Sequence, residues 1–419
     1  MPNKLKKIWK SLGPGLITGA ADDEPSAIAT YTIAGAKFGY SMLWLALFSL
    51  PLMISVQEMS ARIGRISNKG LAGNLKKHYP RWIVFVMAFL IVGANIINMG
   101  ADMSGMAQAI NMVLPASEKV SALVITVFIL IFVIFLPYRK IFTIFKWAAL
   151  SLLAYVFATF TIHQDWKLIM TSLFIPTFQA NKEFWLILMA FMGTTLSPYL
   201  FFWQASQEVE EKIIEQCKPG RTCRLKPATT DDLKRIDEDT RVGMVFSNFI
   251  TFFIITLTAS TLFRAGLHDV ESLRDAAEAL RPLAGEYSYL LFTLGIVGAG
   301  FLAIPVLAGS AAYALSEVFG WSEGLNKSFS KAKEFYGVII ISALVALGIP
   351  LLGFHPIKAM FYTSLIFGAI SPVLIIMIIH MANNKKIMGE HTNGWRLNAF
   401  GYLTFSIMLV FAIAVFFLL

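Results

Sequence analysis

Three consecutive carboxylates and a proline, Asp22-Asp23-Glu24-Pro25-Ser26, lie inside one apolar run, and a second apolar run is broken at Gly193-Thr194-Thr195-Leu196-Ser197-Pro198. Acids at that depth are costly in hydrocarbon, so they are expected to face a protein-lined cavity or a bound cation. Proline removes an amide and unwinds the helix, which frees carbonyls that can also bind a cation. The donors are then all oxygen: the carboxylates of Asp22, Asp23 and Glu24, the hydroxyls of Thr194 and Ser197, and the freed carbonyls. Such a set suits a hard cation such as magnesium, manganese or calcium. Each part also has a plainer reading. Carboxylates and proline favour helix starts, and hydroxyls near a proline kink bond back to carbonyls. Three acids exceed what capping needs, so at least one is expected to hold a cation or a proton. Asp22, nearest the intact helix, is expected to matter least.

Other polar residues inside apolar runs are candidates for a proton pathway or polar relay. In the third run Asn95, Asn98, Asp102, Ser104 and Gln108 mostly fall at spacings of three or four, and Asp102 is the only acid among them. It is either functional or part of a helix-packing hydrogen bond. In the second run Gln57 and Glu58 precede Arg62, so an i,i+4 ion pair would also account for Glu58. Glu208, Glu210 and Glu211 read as a solvated helix end. The numerous Phe and Met read as lipid-facing or packing residues, and no cofactor site is expected in them.

The elements that must position these groups are membrane spans. With 57% hydrophobic residues, 15% charged residues and a mean hydropathy of +0.66, the 419-residue chain is not an ordinary soluble globule. Runs long enough to cross a bilayer, at about 20 residues each, fall near 12–36, 41–61, 82–113, 119–137, 139–162, 184–207, 242–263, 286–317, 335–353, 357–381 and 397–419, which makes eleven expected spans. The short basic stretch Met1 to Lys10 is not expected to be a cleaved signal. If the amino terminus is cytoplasmic, inner segments hold 26 Lys/Arg and outer segments eight. By the positive-inside rule this predicts an inner (plasma) membrane protein with a cytoplasmic amino terminus and an external carboxyl terminus. The net charge of +9 follows from that loop bias toward an anionic leaflet, so nucleic acid is not an expected partner. Cys217 and Cys223 share a loop expected to be cytoplasmic, where thiols stay reduced, and read as ordinary loop cysteines.

The polar stretch Glu208 to Arg241 reads as a linker between two halves. Residues 1–162 (spans one to five) and 184–381 (spans six to ten, with loop 208–241) are expected to be two inverted five-helix repeats. Each repeat opens with its broken helix, and matched broken helices point to a transport site. Residues 397–419 are then a peripheral eleventh span. Residues 264–285 are expected to form an external interfacial helix.

Several of these residues carry a resemblance. Gly13-Pro14-Gly15, the break at Asp23-Glu24-Pro25-Ser26, Gln57-Glu58-Met59-Ser60-Ala61-Arg62-Ile63-Gly64 with Lys69-Gly70-Leu71, and Lys386-Ile387-Met388-Gly389 resemble the natural resistance-associated macrophage protein (Nramp) transporters over most of the chain. The resemblance implies an all-α polytopic protein of the leucine-transporter type, with metal bound between spans one and six. The family carries Asp-Pro-Gly-Asn in span one, where Glu24, Pro25, Ser26 and Ala27 stand here, and Asp23 can substitute for the Asp. It carries Ala-x-x-Met-Pro-His in span six, where Thr194, Ser197, Pro198 and Tyr199 stand. Thioether favours transition metals, so its replacement by hydroxyl implies weaker exclusion of magnesium and calcium. Asp102 matches a family acid of span three. The acid expected one turn later is Gly105, the span-six histidine is Tyr199, and a span-ten glutamine ligand is Ile370.

The expected function is therefore secondary transport of a divalent cation, magnesium or manganese preferred, by alternating access with weak or absent proton coupling. The protein is expected to act as a monomer in a lipid bilayer, with the cation as its substrate. The alternatives are a proton-coupled manganese and iron importer, or a carrier of the same fold for a small organic solute. An intramembrane aspartyl protease is not expected, because neither Tyr-Asp nor Gly-x-Gly-Asp occurs.

Overall fold

Proline decides where the first span stops being one helix. In the computed structural model, which describes residues 13–136, 138–217 and 224–418, α1 (Pro14–Asp22) ends and α2 (Pro25–Phe38) begins around Pro25. The pieces have 9 and 14 residues, about 13 and 21 Å at 1.5 Å per residue, so neither alone crosses the roughly 30 Å hydrocarbon layer. There follow α3 (Trp44–Ser67), α4 (Leu71–His78), α5 (Arg81–Val113), α6 (Glu118–Phe135), α7 (Tyr138–Ala149), α8 (Leu153–Phe160) and α9 (Trp166–Phe174). The second broken pair is α10 (Lys182–Thr195) and α11 (Pro198–Gln216). After it come α12 (Thr230–Thr258), α13 (Leu273–Glu278), α14 (Arg281–Ala284), α15 (Ser288–Phe319), α16 (Lys333–Ala346), α17 (Gly348–Leu352), α18 (Pro356–Asn383), α19 (Lys385–Met388) and α20 (Trp395–Leu418). No strand occurs among the described residues.

Ten segments among the described residues are long and apolar enough to cross a membrane; the α1–α2 pair is not one of them, because its middle carries the three acids Asp22, Asp23 and Glu24. Burial separates centre from edge. The apolar window of α10–α11 is 89% buried within the protein and that of α20 only 22%, so the broken pair is central and α20 faces lipid. Around the centre, α1 packs on α12, α11 on α3, α10 on α18, and α5 on α15 and α18.

Glycine makes the tightest of these crossings. A Cβ on Gly19 of α1 would lie 2.0 Å from the Gly243 carbonyl oxygen of α12, and one on Gly193 of α10 would lie 2.1 Å from the Ser364 oxygen of α18. Backbone therefore rests on backbone, the way membrane helices gain contact where apolar burial gives no drive.

The structure corrects four local expectations. Glu58 pairs with Arg241 of α12 (Oε1 to Nε 2.5 Å), while Arg62 faces Asp237 at 4.0 Å; the facing helix offers a closer cation than the next turn does. Glu208 and Glu210 are buried, not solvated, because α11 continues its packing past the apolar run. Glu210 accepts from the Tyr313 hydroxyl at 2.7 Å. Residues 264–285 hold two short helices, since a capping box between Ser272 and Asp275 starts α13 and Pro282 sits in the first turn of α14. Cys217 is disulfide-bonded, against the expectation of an ordinary reduced loop thiol; Cys223 lies outside the described residues, as do residues 1–12.

Candidate functional site

The two breaks have the same local backbone. Asp23 (φ −83°, ψ 50°) and Glu24 (φ −67°, ψ 167°) lead into Pro25, and Leu196 (φ −109°, ψ 52°) and Ser197 (φ −68°, ψ 120°) lead into Pro198. The residue before each proline is extended because the pyrrolidine ring excludes it from the helical region. Each proline also lacks the amide that would bond the carbonyl four residues back, orphaning Ala21 O and Thr194 O. Both orphans find a hydroxyl: Tyr199 donates to Ala21 O at 2.7 Å, and Ser197 donates to Thr194 O at 2.5 Å. Ser371 of α18 donates to Leu196 O at 2.9 Å, one position after Ile370. The breaks are further tied by the 3.1 Å contact between the Tyr31 and Thr195 hydroxyls.

The acids divide between two neighbours. Glu24 turns toward α5. The Ser26 hydroxyl lies 2.9 Å from Glu24 Oε1 and 3.0 Å from Asn98 Oδ1, and the Ser26 amide donates to Asp102 Oδ1 at 3.0 Å. Asp22 and Asp23 turn toward α12, where the Ser247 hydroxyl is 2.8 Å from Asp22 Oδ2 and 3.4 Å from Asp23 Oδ1. Asp22, Asp23, Glu24, Asp102, Thr194, Ser197 and Ser247 are each at most 1% exposed. Each acid of the triplet spends one oxygen on the protein and leaves the other free. Asp22 Oδ1, Asp23 Oδ2, Glu24 Oε2 and Thr194 Oγ1 are buried without a hydrogen-bond partner, a condition polar atoms in native interiors rarely tolerate without a ligand or water. No three acidic, His or Cys side chains among the described residues converge as a ready-made metal cage.

The structure thus gathers Asp22, Asp23, Glu24, Ser197, Thr194 and Asp102 around the two breaks and leaves Glu58 apart, in its ion pair with Arg241. Sequence reasoning missed Ser247. The available signal was a polar or glycine residue every fourth position along an apolar helix: Asp239, Gly243, Ser247, Thr251.

Polar links hold both ends of the first broken span. At one end Lys37, in the last turn of α2, pairs with Glu183 of α10 at 3.0 Å and with Asp269 at 3.1 Å. At the other, the Gly13 and Gly15 amides at the start of α1 donate to the Asp239 carboxylate at 2.9 and 2.7 Å.

A family model described as "Natural resistance-associated macrophage protein-like" matches residues 15–418. The divalent metal cation transporter MntH of Caldanaerobacter subterraneus is 24% identical over 415 residues, covering 97% of this chain and 92% of that protein. The MntH of Ralstonia nicotianae is 25% identical over 417 residues, covering 97% and 90%. Among solved structures, the Eremococcus coleocola manganese transporter in complex with an aromatic bis-isothiourea substituted compound superposes with a TM-score of 0.78 at 14% identity, covering 97% of this chain and 87% of that one. Mhp1, a nucleobase-cation-symport-1 family transporter in a closed conformation, gives 0.60 at 13% identity, covering 97% and 92%.

Proposed function

Because the chain belongs to the natural resistance-associated macrophage protein family, we propose that it moves divalent metal cations across the inner (plasma) membrane by alternating access, with magnesium or manganese preferred and proton coupling weak or absent. The relatives are divalent metal cation transporters rather than enzymes. The observation that carries the reading is the set of free buried oxygens at the breaks, Asp22 Oδ1, Asp23 Oδ2, Glu24 Oε2 and Thr194 Oγ1. Asp23, Glu24 and Asp22 supply charge, and Thr194 and Ser197 supply neutral oxygen. Ser197 has already given its proton to Thr194 O, so it faces an ion with lone pairs only. Since the acids do not form one cage, the ion would meet one or two carboxylates and keep several waters, the habit of magnesium.

The paired breaks support two inverted repeats, 1–162 and 184–381, with 397–419 peripheral, and the lysine and arginine bias supports a cytoplasmic amino terminus. Alternating access then requires the Lys37 end and the Asp239 end to open in turn. The test is uptake into proteoliposomes scanned across divalent ions: magnesium or manganese should enter, and a protein that takes up no divalent ion overturns the proposal.

Softness should set the ranking. Ser197→Met places a thioether at the break, so manganese or cadmium should gain on magnesium by about tenfold in competition uptake. An unchanged ranking would show that residue 197 does not face the ion.

A second reading, proton-coupled manganese and iron import, is favoured by the link through Ser26 between Glu24 and Asp102. The two readings part on coupling. With Gly105 and Tyr199 at the other relay positions, metal uptake should proceed with little internal acidification, followed with a pH dye, and Asp102→Asn should leave uptake within about twofold of wild type. Strong metal-driven proton entry that Asp102→Asn abolishes would select the second reading.

A further inference from the structure

One stripe of α12 follows the first half-helix along its whole length. Asp239, Gly243, Ser247 and Thr251 recur every four residues and so share a face. Asp239 takes the amides that start α1, and Gly243 lies against its backbone at Gly15 and Gly19. Ser247 bonds the acids where α1 ends. The glycine contact fixes the distance between the helices, which leaves Ser247 no freedom to drift from Asp22.

A hydroxyl has one proton to give. At 2.8 Å it goes to Asp22 Oδ2, with Asp23 Oδ1 at 3.4 Å as the secondary acceptor. The remaining oxygens, Asp22 Oδ1 and Asp23 Oδ2, are buried and have no protein partner.

We propose that Ser247 is a positioning residue of the ion site: it fixes one oxygen of Asp22 so that the free oxygens of Asp22 and Asp23 are held out to the ion, which makes Asp22 a ligand equal in weight to Asp23. This rests on the metal-transport reading of the breaks. A hydroxyl that merely fills space at a helix crossing would be dispensable for binding and indifferent to Asp22, and the test turns on that difference.

Manganese binding is measured by calorimetry on the full chain in nanodiscs for Ser247→Ala, Ser247→Thr, Asp22→Asn and the Ser247→Ala/Asp22→Asn double variant. Ser247→Ala and Asp22→Asn should each weaken binding about tenfold, and the double variant should be little weaker than Asp22→Asn alone, because the hydroxyl acts chiefly through that carboxylate. Ser247→Thr, which keeps the hydroxyl, should bind within about threefold of wild type. Wild-type affinity in Ser247→Ala, or losses that simply add in the double variant, overturns the proposal. If Ser247→Ala does not fold, Ser247→Cys, of similar size with a weak donor, takes its place in the same comparison. Glu24→Gln, measured alongside, separates the two levels. If it weakens binding while Ser247→Ala does not, only the role of Ser247 fails; if neither weakens it, the metal site itself is misplaced.

Discussion

Glu24→Gln and Asp23→Asn are each expected to raise the dissociation constant for manganese or magnesium at least about tenfold, a loss of about 1.4 kcal/mol. Both substitutions keep the size of the side chain and remove its charge. Both remove it where water cannot compensate, since Glu24 is 1% and Asp23 0% exposed. Low polarizability around a buried charge strengthens its attraction for a cation relative to the same pair in water. Each side chain also holds a free oxygen, Glu24 Oε2 and Asp23 Oδ2, and an amide nitrogen in that place repels a cation instead of binding it. Calorimetry on purified protein reads the effect directly. Wild-type affinity in both variants would move the site away from the first break.

Gly19→Ala is expected to reduce transport at least about tenfold and to lower thermal stability, because overpacking a tight contact typically costs about 1–3 kcal/mol. The added methyl would sit 2.0 Å from the Gly243 carbonyl oxygen and 2.7 Å from its Cα, and backbone cannot rotate out of the way as a side chain can. The helices must separate, which strains the Asp239 contacts with Gly13 and Gly15 and the Ser247 contact with Asp22 together. Gly93→Ala is the matched control, since a methyl there meets nothing within 4 Å. Melting curves and uptake rates for the pair decide the matter: equal behaviour would mean that the α1–α12 crossing is looser than its geometry.

The prolines and acids were legible in the sequence because they violate the local rule. Pro25, Pro198 and the triplet Asp22-Asp23-Glu24 cannot sit in an uninterrupted lipid-facing helix, so their presence announces the breaks. Such legibility ends where a residue's meaning depends on the helix across from it. Ser247 is an unexceptional serine until α1 is laid beside α12. Glu58 was expected to meet Arg62, the nearest cation in sequence, yet Arg241 approaches from another helix. Glu208 and Glu210 look solvated as part of a charge run, but the hydrogen bond from Tyr313 to Glu210 forms across more than a hundred residues. The orphaned carbonyls were foreseeable from proline chemistry. That Tyr199 and Ser197 would satisfy them was not, because it requires knowing how the two broken helices lie against each other.

The two polar links at the ends of the first broken span differ in kind, and that difference makes the molecule asymmetric toward its surroundings. The Lys37 link is built from charges in contact with water, with Glu183 and Asp269 side chains 62% and 75% exposed. Exposed pairs of that sort hold by about 0–1 kcal/mol and are weakened further by dissolved salt, whose screening length is about 8 Å at physiological ionic strength. The Asp239 link is glycine backbone against backbone with a buried carboxylate at its end, out of reach of screening ions. Rising ionic strength is therefore expected to loosen the Lys37 link and to leave the Asp239 link untouched.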